Sequence, residues 1–155
     1  MENAVLAKLE LTSDAFRNGQ PVPAQYTCDG ANRSPGLQWD KPPAGTKSLA
    51  LIVDDPDAPG GIFRHWGAYD IPPSSRSLAA GQAIGTEAIN DFGKTGYGGP
   101  CPPVGHGPHH FHFRLLALDT DRLGLPAGAK VIDVETAARR HAIAEGELVG
   151  TFERK

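Results

Sequence analysis

Three segments of this sequence concentrate side chains able to do chemistry: Asp54, Asp55 and Asp57 in DDPDAPGG (residues 54–61), His65 in FRHW, and Cys101, His106, His109, His110 and His112 in PCPPVGHGPHHFH (residues 100–112). Carboxylates beside imidazoles are the parts of an acid/base pair, or of a polar site in which a carboxylate orients a ring. A metal would need three or four converging ligands. On a strand of period two, His109, Phe111, Phe113 and Leu115 share one face, while His110, His112 and Arg114 share the other. Only His110 and His112 are brought together, so a solvated strand face is the simpler reading and no metal is expected. The serines at 34, 48, 74, 75 and 77 stand in no Gly-x-Ser-x-Gly elbow, and there is neither a P-loop nor a dinucleotide fingerprint. No cofactor is expected.

His109 stands where an irregular Gly-Pro loop enters a strand, on the apolar face, at the mouth of a depression lined by aromatic groups. In that loop Gly105 and Gly107 can turn backbone N–H groups inward as an anion nest, while Pro102 and Pro103 donate nothing and stiffen the wall. Imidazoles beside such a nest favour a phosphate-type group. An acidic loop would repel a bare anion unless its carboxylates orient the histidines or loop amides, or share a proton with the ligand. The alternatives are structural: an aspartate turn that bonds its own backbone, and His65 as an ordinary core histidine.

These groups need a scaffold, and its elements can be read from periodicity. Residues 5–11 alternate as a half-buried strand; residues 12–39 are a long irregular excursion with at most short strands; residues 48–53 (SLALIV) are apolar on both faces, as a central strand would be. Residues 63–71 and 109–118 read as further strands, with a short helical turn near 77–80, one helix over 133–145 starting at Asp133, and a last strand over 147–152. Glycine and proline number 19 and 14 of 155 residues, which suits a loop-rich β protein better than a helical bundle. The expected organisation is one domain over residues 1–155, mainly β with one late helix.

Composition limits the partners. A net charge of -3 with scattered Lys and Arg offers no basic stripe for nucleic acid. The longest aliphatic run, residues 49–53, is far below the roughly 20 residues that span a bilayer, so no integral membrane contact is expected. No secretory signal is visible in residues 1–4, and a cytoplasmic location follows as the default. On those compartment grounds Cys28 and Cys101 are expected to be free thiols.

Taken together, DDPDAPGG, FRHW and DFGKTGYGGPCPPVGHGPHHFHF resemble the phosphatidylethanolamine-binding protein family, also called the Raf kinase inhibitor protein family, and its bacterial and archaeal branch best. TCDGANRSPGLQW and GTKSLALIVDDPDAP resemble the same branch. The resemblance implies two packed sheets in Greek-key arrangement with a small anion pocket at one end. Carried over by position, the pocket residues are Asp55 with Asp57 beside it, His65, His109, and the wall residues Pro102, Gly105 and Gly107. The family usually continues past the second histidine with Arg and Tyr; here His110 and Phe111 stand there, so a tyrosine hydroxyl is missing from the pocket. Eukaryotic members carry a C-terminal helix over the pocket mouth, whereas this chain stops soon after GELVGTFERK, and kinase regulation is not carried over. The function expected is non-enzymatic binding of a phosphate-type anion: a phospholipid head group, a phosphorylated small molecule or a peptide. The alternatives are an interaction protein that inhibits a protease or kinase through the same loops, and a small hydrolase or isomerase using Asp55 and His65. A protein partner or a homodimer is left open.

Overall fold

A computed structural model describes residues 6–155. The expected strand start at Val5 and the reading of residues 1–4 fall outside them. Four long elements dominate: β4 (Ser48–Asp55), β5 (Phe63–Ile71), β8 (His109–Leu118) and β9 (Ala142–Phe152). Short strands complete the set: β1 (Ala7–Lys8), β2 (Leu11–Thr12), β3 (Leu37–Trp39), β6 (Ser77–Leu78) and β7 (Thr86–Glu87). They form a six-stranded sheet in the order β1-β9-β8-β4-β5-β7 and a three-stranded sheet in the order β2-β3-β6. The chain is mainly β with two sheets and one α-helix, α1 (Val131–Arg139).

Alternation along the strands explains the layers. Leu49, Leu51 and Val53 of β4 and Phe111, Phe113 and Leu115 of β8 face Leu11, Leu37, Trp39 and Leu78 of the small sheet in one core. Ala50, Ile52, Leu116 and Leu118 point the other way and bury Val131, Val134 and Ala138 of α1. Hence β4 is apolar on both faces and buried throughout. Each fully buried Leu, Ile or Phe side chain contributes roughly 1.5–3 kcal/mol of transfer free energy. Gly67 of β5 lets α1 approach: a Cβ there would meet the Val131 methyls at 2.9 and 3.0 Å.

Several expectations change. The predicted strand over 5–11 is two short pieces, β1 and β2, paired with different sheets. Residues 77–80 begin with strand β6 rather than a helical turn, because Leu78 pairs with Leu37 and is buried. The helix runs over Val131–Arg139 and not 133–145; Lys130 stands at the N-cap, and Asp133 caps from inside the first turn by accepting the Lys130 N–H. Residues from Ala142 onward are strand because β9 pairs with β8 along its length, from Leu118↔Ala142 to His109↔Phe152. That ladder overrides the helix propensity of an alanine-rich stretch. In β5 the period of two breaks at Asp70, whose φ of 55° puts Ile71 back in the core with Trp66 and Ala68, while Tyr69 faces α1.

Cys28 and Cys101 are not free thiols but a disulfide, with Cα atoms 5.4 Å apart. A separation of 73 positions hid the pairing in the sequence. Backbone bonds bring the two segments together, with Cys28 N–H donating to the Pro100 carbonyl at 3.1 Å.

Candidate functional site

The ends of three long strands converge at one edge of the large sheet. Antiparallel pairing sets the end of β4 beside the starts of β5 and β8, with Asp55 opposite Phe63 and Asp54 opposite His112. Adjacent residues on a strand point to opposite faces. Asp54 therefore meets Arg114 Nη1 at 2.6 Å on the outer face, and Asp55 turns inward to His109. Burial pushes the Asp54 carboxyl up, against the opposing pull of Arg114.

Asp55 does two jobs. Its Oδ1 accepts the Asp57 N–H at 2.8 Å, which ties the turn after β4, and its Oδ2 meets His109 Nδ1 at 2.6 Å. Both Asp55 and His109 are buried. The Asx-type turn and the histidine-orienting carboxylate are thus the same residue. His109 Nε2 in turn meets His106 Nδ1 at 2.6 Å.

His65 is held independently. Its Nδ1 donates to the Gly98 carbonyl at 2.8 Å, and its backbone carbonyl accepts the Gly98 N–H. Its ring packs among Phe63, Phe92 and Phe111, with centroids 4.9, 5.4 and 5.4 Å away. Burial lowers the His65 pKa, with the Gly98 carbonyl acting in the opposite direction. Glycine is required next door, since a Cβ on Gly99 would run into the Tyr26 carbonyl and the Asn32 side chain.

Between these rings lies a cavity of about 210 Å³ walled by Asp55, His65, His109, Phe63, Phe92 and the pair Pro102 and Pro103. Asp55, His65, Pro102 and His109 of the expected set line it together. Asp57 does not: it is exposed, and its carboxylate accepts the His110 backbone N–H and the ring Nδ1, both at 2.8 Å. The His110 ring holds the Asp57 carboxyl below its usual value. Phe111 lies beneath, fully buried against His65. Gly105 and Gly107 are outside the wall, at φ of 79° and 88°. The Gly105 N–H is spent on the Arg154 carbonyl at 2.7 Å, so it adds nothing to a nest. On the outer face His112 and Arg114 pair with Glu147 at 3.0 and 3.1 Å, as a solvated strand face would.

The sequence reading missed Phe92, which lines the cavity and is 44% exposed. The signal was an aromatic residue among the glycines of residues 91–99. Cys101 also lines the cavity, so the disulfide ties one of its wall residues to Cys28. Among the described residues, no group of three or more His, Cys, Asp or Glu could hold a metal.

Residues 12–153 match the family model "Phosphatidylethanolamine-binding protein". The chain belongs to the phosphatidylethanolamine-binding protein family. Its relatives include a "UPF0098 protein" of Aquifex aeolicus, 46% identical over 96% of this chain and 90% of that protein. Among solved structures, Escherichia coli YbcL, described as a member of the mammalian PEBP family, superposes with a TM-score of 0.90 at 33% identity, covering 96% of this chain and all of that one. A PEBP homologue from Chlamydia trachomatis gives 0.87 at 38% identity, covering 96% of this chain and 99% of that one. A further relative corrects an expectation. The "Putative lipoprotein LppC" of Mycobacterium tuberculosis is 46% identical over 94% of this chain and 72% of its own length. A lipoprotein is membrane-associated, so this name overturns the cytoplasmic assignment, and the disulfide removes the free thiols that assignment implied. Among the described residues no helix is long and apolar enough to cross a membrane.

Proposed function

We propose that this protein is a non-enzymatic binding protein whose cavity takes a phosphate-type anion between His65 and His109, with Asp55 fixing the His109 ring. The observation that carries this reading is the pair of buried imidazoles, each anchored through Nδ1, lining one small cavity. Anchoring through Nδ1 leaves the Nε2 edges to face a ligand or a neighbour, as second-sphere bonds do in preorganised sites. Membership of a binding-protein family supports the same reading. The Asp55–His109–His106 relay can carry a proton. The wall offers no hydroxyl, and its one sulfur, that of Cys101, is held in the disulfide, so the arrangement favours binding over nucleophilic chemistry.

A volume of 210 Å³ suits a phosphoryl group with a short substituent. Phospholipid head groups, phosphorylated small molecules and phosphopeptides share that group. Titration calorimetry with inorganic phosphate and phosphoethanolamine tests the proposal. Saturable binding that disappears in His109→Ala is expected; unchanged affinity in that variant would remove the site.

A further inference from the structure

Both cysteines of the Cys28–Cys101 bridge are half-buried, and Cys101 also lines the cavity. A disulfide within reach of solvent is open to exchange with thiols. Cys101 belongs to residues 100–108, where Pro100, Pro102, Pro103 and Pro108 have no N–H to donate and no strand or helix runs. That segment leans instead on the bridge, on the Cys28 N–H to the Pro100 carbonyl at 3.1 Å, and on the Gly105 N–H to the Arg154 carbonyl at 2.7 Å.

The two sulfurs are not equivalent. Arg154 Nη1 lies 3.7 Å from Cys101 Sγ and 3.5 Å from the Pro102 carbonyl, while its Nε donates to Asp29 Oδ1 at 3.1 Å. Negative charge appearing on Cys101 Sγ is met by the guanidinium, whereas Cys28 is followed directly by the Asp29 carboxylate. A cation about 4 Å from a thiolate in water favours it about fivefold. The sulfur that leaves more easily is therefore that of Cys101.

We propose that the Cys28–Cys101 disulfide is a thiol–disulfide exchange site for dithiol reductants, with Cys101 as the leaving sulfur, and that its opening loosens the 100–108 wall of the cavity. The first thiolate of the dithiol attacks Cys28 Sγ. A new sulfur–sulfur bond forms there, the Cys28–Cys101 bond breaks, and its electron pair leaves on Cys101 Sγ beside Arg154. The second thiolate then attacks the reductant's own sulfur in the mixed disulfide, closes the reductant as a cyclic disulfide and releases Cys28. The dithiol loses two electrons, the protein gains two, and the two protons of the dithiol pass through water to the two cysteines. A monothiol stops at the first step: the Cys28 N–H bond to Pro100 keeps Cys101 close, and Cys101 re-attacks the mixed disulfide before a second molecule arrives. The stability that the bridge lends the fold also resists reduction, which again selects a strong dithiol. The consequence for binding rests on the reading of the cavity as an anion site. With the wall loosened, phosphate affinity falls about tenfold, the factor for re-ordering about one residue of backbone on binding.

The oxidised full chain, mixed at neutral pH with dithiothreitol or with reduced glutathione at equal thiol concentration, then acid-quenched, alkylated and mapped by mass spectrometry, tests the chemistry. Dithiothreitol should free both cysteines, and glutathione trapped at early times should sit on Cys28. Glutathione mainly on Cys101 would overturn the leaving-sulfur assignment, and a bridge that resists dithiothreitol until the chain unfolds would overturn the exchange site. Arg154→Gln should slow reduction by dithiothreitol about twofold or more, since roughly half the charge has reached the leaving sulfur in the transition state, and Arg154→Lys should restore most of the rate. An unchanged rate in Arg154→Gln would overturn the part given to Arg154. Amide hydrogen exchange separates loosening from unfolding: reduction should speed exchange over residues 101–107 while the β8–β9 ladder stays protected. No change over 101–107, or loss of protection in both, would overturn the loosening. Calorimetry with inorganic phosphate on the oxidised, reduced and reoxidised protein should show affinity that falls and returns. Equal affinity in the oxidised and reduced forms would overturn the control of binding, whereas no binding in the oxidised form would overturn the anion reading and leave the exchange site to the sulfur mapping.

Discussion

Removing the Cys28–Cys101 disulfide should destabilise the protein more than any single surface change. Reopening a loop of 73 residues in the unfolded chain restores chain entropy worth about 4 kcal/mol at 25 °C in the loop-closure treatment. That is a large share of the roughly 5–15 kcal/mol that separates a folded domain from its unfolded ensemble. In the folded state contacts that do not pass through the bridge also hold this region: Cys28 N–H donates to the Pro100 carbonyl, and Arg154 pairs with Asp29 at 3.1 Å. The loss therefore falls mainly on the unfolded side. Equilibrium urea unfolding of the oxidised protein and of the Cys28→Ser, Cys101→Ser double variant measures it. With an m-value of about 2 kcal/mol/M, the midpoint should drop by about 2 M. A drop below about 0.5 M, with m unchanged, would refute the reasoning. Because Cys101 lines the cavity, anion affinity should fall in the same variant.

Asp55→Asn removes the carboxylate that accepts from both the Asp57 N–H and His109 Nδ1; phosphate affinity measured by calorimetry should fall about tenfold or more, at the scale of a charged hydrogen bond. His65 is buried with its pKa lowered, so the unfolded chain binds the proton first as pH falls. Stability should then decline below about pH 6.5, with a slope of up to about 1.4 kcal/mol per pH unit from this group. In His65→Asn, which keeps a donor for the Gly98 carbonyl, urea midpoints between pH 6.5 and 5 should show a shallower slope. Gly67→Ala forces a methyl group against Val131 and should cost about 1–3 kcal/mol in urea unfolding, while phosphate affinity in the folded protein stays unchanged because the clash lies on the α1 face.

The parts of this molecule legible in the sequence are those dictated by short-range pattern. β5 and β8 run over the expected 63–71 and 109–118, and β4 over 48–53 extends by Asp54 and Asp55, because unbroken apolar or alternating runs admit few other conformations. Asp55, His65 and His109 could be singled out because polar residues at the ends of such strands have no packing reason to be there. Long-range pairing was not legible. The ladder between β8 and β9 claims residues that favour helix by composition, and Leu78 is drawn into a strand by Leu37 across the small sheet. The disulfide and Phe92 belong to irregular segments whose meeting is set by tertiary hydrogen bonds, such as Gly99 N–H to Asn32 Oδ1 at 2.8 Å. The engagement of the Gly105 N–H was hidden for a related reason, since it is claimed by residue 154 from the far end of the chain.

The central claim is that the two anchored imidazoles hold the ligand. Nitrogen-15 NMR of the histidine rings during titration with inorganic phosphate tests it most directly, because it reports each ring separately. Saturable shifts of Nε2 in His65 and His109, with His112 and His141 on the surface unmoved, are what the geometry predicts. Shifts confined to the surface histidines, or no saturable change at His65 and His109, would contradict it.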